Sequence, residues 1–125
     1  MTQPTGNNHP WVVSTINEAI SHAANNQYSV AVELLTHLVH EFPRASSVHG
    51  YLAWFLMEMI RHEEAIEHSR NAVSLSPKSE MASLVHFHVL WKTGRHMEAL
   101  DEMKRFLAIR PSEEYANMIK DWEPC

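Results

Sequence analysis

The sequence predicts an all-α protein made of three antiparallel helix pairs followed by a seventh helix. Two features recur every 34 residues: an alanine and, twelve residues after it, a proline. The alanines are Ala31, Ala65 and Ala99, and the prolines are Pro43, Pro77 and Pro111. Between them, apolar residues recur at the helical period. Such a repeat indicates a stacked array in which each helix pair buries its apolar side against its neighbours.

Both recurring residues have a physical role in a helix pair. Proline cannot continue a helix and disfavours helical geometry in the preceding residue, so each proline is expected to end a second helix. The alanine marks the point where the second helix crosses closely over the first, because a longer side chain would not fit there. On the first helix of each pair, the residue expected at this crossing is Ala19 in the first pair and Ala53 in the second, but Phe87 in the third.

These signals predict seven helices joined by short turns near Asn25–Gln27, Ile60–Arg61 and Thr93–Arg95. The helices are expected at Pro10–Asn25, Tyr28–Phe42, Ser46–Met59, His62–Leu75, Ser79–Lys92, His96–Ile109 and Glu113–Trp122. Residues 1–9 are predicted to be a flexible tail, and residues 10–125 a single domain. Its repeats span about 12–45, 46–79 and 80–113.

The last helix, over about residues 113–122, is predicted to cap the array. Tyr115, Met118 and Trp122 share one of its sides, whereas Asn117 and Asp121 lie on the other. An array of stacked repeats needs terminal elements with a polar outer side, since the last repeat has no further neighbour to cover it.

Composition excludes several classes of protein. The formal net charge is −5, and no run of Lys and Arg marks a nucleic-acid surface. No segment approaches the roughly 18 apolar residues of a membrane span, and the first residues do not resemble a secretion signal, so we expect a cytoplasmic protein. The only cysteine is Cys125, so the fold is expected to rest on packing rather than on disulfides.

The pattern resembles the tetratricopeptide repeat, whose 34-residue motif places Trp, Leu-Gly and Tyr before Ala, Phe and Pro. The second half of the motif is matched by Ala31, Leu35 and Pro43, by Ala65, Ser69 and Pro77, and by Ala99, Met103 and Pro111. In the first half, Leu52, Ala53 and Leu56 fit, while the other two repeats depart from the motif. The resemblance covers 102 of the 125 residues. It implies a right-handed superhelical array that binds other proteins without catalysis.

In this family the first helix of each pair lines a concave groove that holds the partner. The resemblance therefore implies a partner-binding set of Ile16, Ile20, Tyr51, Trp54, Met57, Met81, Leu84, His88 and Trp91. Members that clamp the acidic C-terminal tails of heat-shock chaperones carry Lys, Arg and Asn at such positions. The apolar residues here disfavour that ligand and favour an apolar or amphipathic polypeptide segment. The same stripe would also suit core packing or a structural homodimer.

Ten histidines raise the alternative of a metal-dependent protein. Glu33, His37 and His40 fall on one side of the second helix, which is compatible with a three-ligand metal stripe. The equivalent positions of the other repeats hold Glu67, Asn71 and Ser74, and Asp101, Arg105 and Ala108, so we expect a solvated surface and no cofactor. The sequence has no nucleophile triad and no glycine-rich phosphate loop, and we predict that the protein is not an enzyme.

Overall fold

The structure, a computed structural model, describes residues 5–122, and within that range it contains seven helices and no strand. They are α1 Pro10–Ala24, α2 Tyr28–Glu41, α3 Ser46–Glu58, α4 His62–Leu75, α5 Glu80–Lys92, α6 His96–Leu107 and α7 Glu113–Trp122. The predicted all-α class is confirmed, and each helix end lies within two residues of its expected position. In the described part of the chain, no helix is long and apolar enough to cross a membrane.

The recurring alanines and prolines lie where their chemistry requires. Ala31, Ala65 and Ala99 are fully buried, each on the second helix of its pair. α2 and α4 each end two residues before a proline, whereas α6 ends earlier, at Leu107. Because a proline restricts only the residue before it, the exact end of α6 is set by other contacts.

A third 34-residue feature appears only in the backbone. The residues that follow the first helices, Asn26, Ile60 and Gly94, all have a left-handed conformation, with φ of 62°, 59° and 85°. In each turn the next amide donates to a carbonyl five residues back, as from Arg61 to Leu56 at 2.9 Å, which is the Schellman pattern. Side-chain identity hides this repeat, since one glycine, one asparagine and one isoleucine occupy the same position.

The segment that was expected to be a flexible tail makes specific contacts over residues 5–9. Asn7 Oδ1 accepts hydrogen bonds from the backbone amide of Ser47 at 3.1 Å and from its hydroxyl at 2.8 Å. α3 has no capping side chain of its own, so Asn7 satisfies an otherwise free amide of its first turn. Gly6 packs on Phe42 so closely that an added Cβ would lie 2.8 Å from the ring. Residues 1–4 lie outside the described range.

α7 docks on the third helix pair through Tyr115, which is fully buried. The Tyr115 ring makes an edge contact with Phe87, with ring centres 5.6 Å apart, and its hydroxyl lies 2.7 Å from Ser83 Oγ. Phe87 occupies the position that Ala19 and Ala53 hold in the other two repeats. The first helix of the third pair, α5, faces α7 instead of another repeat. The larger side chain fills that different interface.

Candidate functional site

The first helices α1, α3 and α5 form one side of the array, which we call the first-helix face. A pocket of about 250 Å³ lies on it between α3 and α5. Its lining includes Trp54 and Met57 from α3 with Val85, His88 and Val89 from α5. Val85 and Val89 are buried and form the floor, whereas the Trp54 side chain is 52% exposed. A large apolar ring therefore stands beside an apolar hollow that is open to solvent.

The predicted partner-binding residues do not all reach this surface. Trp54, Met81 and His88 are exposed, and Ile20 is 37% exposed. The half-buried members are Tyr51, Met57, Leu84 and Trp91. Ile16 is only 7% exposed and belongs to the core, so its place in the predicted set is corrected. It faces inwards because it lies on the side of α1 that also buries Val12, Ala19 and Ala23.

Trp91 is engaged in a stack of aromatic rings that the sequence did not predict. Its ring lies nearly parallel to those of Phe87 and Trp122, with ring centres 5.7 and 5.4 Å apart. The His96 ring lies at 4.3 Å. Such contacts add stabilisation beyond the burial of area. Trp91 therefore helps to hold α7 against the third repeat, which reduces the area that it offers to a partner.

Glu58 and Lys92, at the ends of α3 and α5, complete the lining and were missed from the sequence. Both are exposed, so each can pair with a polar group of a bound segment. Desolvation lowers the pKa of His88, and the positive charge of Lys92, one turn along the helix, lowers it further. Since an ordinary imidazole titrates near 6.5, this lowering favours the neutral form of His88 at pH 7.

The proposed metal stripe is not assembled as a metal site. Among residues 5–122, no three His, Cys, Asp or Glu side chains come close enough to hold one ion. Glu33 and His40 are two helical turns apart, which separates them by about 10 Å along the axis at 1.5 Å per residue. His37 lies between them, and all three are exposed. These residues therefore form a solvated surface in the described structure.

Two other histidines were overlooked because they are spread through the sequence. His49 Nδ1 and His68 Nδ1 lie 3.0 Å apart, and His49 Nε2 is 2.9 Å from the Pro43 carbonyl. Since a carbonyl can only accept, His49 carries its hydrogen on Nε2, and His68 donates to His49 Nδ1. Burial lowers the pKa of His68, and the neighbouring His49 lowers it further.

His86 is buried between repeats, with Nδ1 2.7 Å from Ser69 Oγ. The Ser69 hydroxyl also donates to the Ile66 carbonyl at 3.0 Å. A hydroxyl has a single hydrogen, so the hydrogen between Ser69 and His86 comes from the imidazole. Burial lowers the pKa of His86, although the Glu102 carboxylate opposes this shift. These histidines act in packing the repeats.

Several solved structures share this fold. The tetratricopeptide-repeat domain of Sgt2 from Aspergillus fumigatus has a TM-score of 0.79 and 16% identity, over 96% of this chain and 82% of that one. The first such domain of Spaghetti (RPAP3), bound to the HSP90 peptide SRMEEVD, has a TM-score of 0.76 and 15% identity, over 87% and 89%. MamA AMB-1 has a TM-score of 0.66 and 26% identity, over 82% of this chain and 57% of that one.

At the level of sequence, no family model and no curated protein matches the chain. The Sgt2 and RPAP3 domains nevertheless share the arrangement of helices described above. Seven helices correspond to three tetratricopeptide repeats and one terminal helix. The predicted resemblance is confirmed at the level of the fold: the chain has the fold of these tetratricopeptide-repeat domains.

Proposed function

We propose that the protein is a non-catalytic interaction module that holds an apolar segment of another polypeptide on its first-helix face. The observation that carries this proposal is the pocket beside Trp54. An exposed tryptophan next to an apolar hollow is the usual composition of a binding hot spot. Contiguous exposed apolar surface on a soluble domain also commonly marks an interaction site.

The chemistry of the pocket favours an apolar side chain over an acidic one. Among the described residues that line it, Lys92 is the only cation, and Glu58 offsets its charge. A carboxylate ligand needs converging Arg or Lys donors, which this lining does not supply. The HSP90 peptide bound by the RPAP3 domain carries two glutamates and a terminal aspartate. We therefore expect this chain to select a segment with large apolar side chains instead.

The test begins with selection of peptides from a random displayed library on the immobilised protein, followed by calorimetric titration of the selected peptides. They should be rich in apolar residues, and the peptide SRMEEVD should bind more weakly than they do. Trp54→Ala should weaken their binding by about 2 kcal/mol or more, the typical loss at a hot spot. Glu67→Ala, on the exposed side of α4, is the control and should leave the affinity unchanged.

Trp91→Ala separates binding from packing. Because Trp91 stacks on Trp122, this variant should loosen α7 and lower the free energy of unfolding. Trp54 makes no such stack among the described residues, so its variant should keep the wild-type stability. Normal peptide binding by a folded Trp54→Ala variant would contradict the proposal.

The homodimer is the second candidate, since the same exposed Trp54 side chain would suit a self-contact. In that case light scattering would show a dimer that Trp54→Ala dissociates.

A further inference from the structure

The two ends of the helical array are finished differently. At the C-terminal end, α7 covers the third pair and turns Glu114, Asn117 and Asp121 outwards. At the other end of the described residues, the outward side of α1 and α2 is exposed, with Trp11 and Glu18 on α1 and Val30 and Glu33 on α2. Stacked repeats normally present a polar surface at such an end.

The repeat spacing shows which residues of α1 would face a preceding helix pair. His86 of α5 bonds Ser69 of the pair before it, and Leu52 holds the same position on α3 and is 1% exposed. The corresponding residue of α1 is Glu18, which is exposed. The surface that the second and third pairs bury against a neighbour is therefore uncovered on the first pair.

This open surface forms a groove of about 380 Å³ between α1 and α2, which we call the end groove. Its apolar lining includes Trp11 and Val30, which are 46% and 37% exposed, and half-buried Leu34. Exposed Glu18 and Glu33 also line it. An apolar strip bordered by carboxylates is thus available to another molecule.

The residues with a formal charge that line the end groove are Glu18 and Glu33, and His37 lines it as well. Arg61 lines a neighbouring hollow with Glu33 and His37, but its guanidinium is paired with Glu64 at 2.6 Å. The sequence has no Lys or Arg before Arg44, while Glu18, Glu33 and Glu41 all precede it. The ten Lys and Arg residues of the chain lie at Arg44 or beyond, whereas four of its ten histidines precede it. A partner with positive charge beside its apolar surface would be attracted to this end, and a negative one repelled.

The third helix pair contains a counterpart of the end groove that is bordered by α4 of the preceding pair. The groove between α5 and α6 is lined by His86, Glu98 and Asp101, which stand 68 residues after Glu18, Val30 and Glu33. Arg70 of α4, in the preceding pair, lines it as well. Glu102 and Arg105 of α6 also line this groove and pair with each other at 2.6 Å, so the helix packed there adds the Arg70 guanidinium beside Glu98 and Asp101.

We infer that the end groove binds an amphipathic helix of another polypeptide, with Lys or Arg beside its apolar stripe, packed as α4 packs on the third pair. The apolar stripe covers Trp11 and Val30, and the basic side chains approach Glu18 and Glu33. A second copy of this chain is a poorer occupant, because two molecules of net charge −5 repel each other.

The experiment uses two designed peptides of about 20 residues, a length that supports a helix in isolation. Both have the same leucine stripe, but one is flanked by lysines and the other by glutamates. Calorimetry measures their affinity for the full chain, and amide chemical shifts locate the site. The lysine peptide should bind and shift α1 and α2, whereas the glutamate peptide should bind at least about tenfold more weakly, since each attractive pair becomes repulsive.

Charge reversal in the protein supplies the decisive comparison. Glu18→Lys with Glu33→Lys should weaken the lysine peptide about tenfold and strengthen the glutamate peptide. Glu67→Lys with Asp101→Lys is the matched control: it changes the net charge equally, at the positions equivalent to Glu33 in the other repeats. Its effect on the lysine peptide should be small.

Trp54→Ala should leave lysine-peptide binding unchanged, which separates the end groove from the first-helix face. The inference is overturned by equal binding of the two peptides, by equal effects of the two double variants, or by shifts confined to α3 and α5. Self-association that Trp11→Ala abolishes would identify a second copy as the occupant and would also overturn it.

Discussion

A buried hydrogen-bond cluster of Ser83, Glu102 and Tyr115 holds α7 on the third repeat and leads to a quantitative prediction. Ser83 donates to Glu102 Oε2 at 2.7 Å, and the Tyr115 hydroxyl lies 2.7 Å from Ser83 Oγ. The single Ser83 hydrogen is already used, so Tyr115 must be the donor to Ser83. Burial raises the pKa of Tyr115 to about 12, so the phenol keeps that hydrogen over the ordinary pH range.

Because of the direction of these hydrogen bonds, Ser83→Ala and Tyr115→Phe should lower the free energy of unfolding by different amounts. Ser83→Ala leaves the Tyr115 hydroxyl buried without an acceptor and removes a donor from the Glu102 carboxylate. An orphaned buried group costs about 1–3 kcal/mol, and a hydrogen bond to a charged group about 1.5–3 kcal/mol, so we expect a loss of about 3 kcal/mol. Tyr115→Phe removes only one bond and leaves Ser83 paired with Glu102, so its loss should be about 1 kcal/mol.

The double variant should be more stable than the sum of the two losses implies. With Tyr115→Phe present, Ser83→Ala no longer orphans a hydroxyl, so the combined loss should be about 2 kcal/mol rather than about 4. The assay is urea unfolding followed by circular dichroism, with the free energy extrapolated to water. Ser83→Ala combined with Tyr51→Phe is a control and should be additive. Additive losses for Ser83 and Tyr115, or a larger loss for Tyr115→Phe alone, would refute these bond directions.

Three further predictions concern the turns, the buried histidines and the repeat alanine. Ile60→Gly should raise the free energy of unfolding, measured by thermal denaturation, by about 1 kcal/mol. A left-handed conformation costs a non-glycine residue about 1–2 kcal/mol, and Ile60 is 76% exposed, so little packing is lost. A destabilised variant would be evidence against backbone strain at Ile60. The pKa values of His68 and His86 are lowered in the folded chain, so below about pH 6.5 the unfolded chain binds more protons than the folded one. The free energy of unfolding should therefore fall as the pH drops below that value, by at most about 1.4 kcal/mol per pH unit for each histidine. Urea unfolding across pH should show that slope, and Asn at both positions should flatten it; an unchanged slope would assign the effect elsewhere. Ala65→Leu should lower the free energy of unfolding by about 3 kcal/mol, since the site is fully buried and has no room for added methylenes, and a loss below about 1 kcal/mol would show that the crossing is loose.

The helices and their order were readable from the sequence because the responsible effects are local. A proline restricts its own backbone and that of its neighbour, and an apolar period of 3.6 residues marks one side of a helix wherever the helix lies. The spacing of Ala31, Ala65 and Ala99 extended this local information to the whole array, since equal units stack in equal ways. The left-handed conformation of Ile60 escaped notice because β-branched residues rarely adopt it.

The candidate sites depended on contacts between residues far apart in the chain. Ile16 and Ile20 both fit an apolar stripe, yet the crossing of α1 with its neighbours buries the first and leaves the second 37% exposed. Trp91 was predicted to meet a partner, but Trp122 of α7 stacks against it. Asn7 caps a helix that begins 39 residues later. Local pattern identifies which residues are apolar or polar, whereas the angle and distance between packed helices select those that remain at the surface, because burial is a property of the neighbours as much as of the residue.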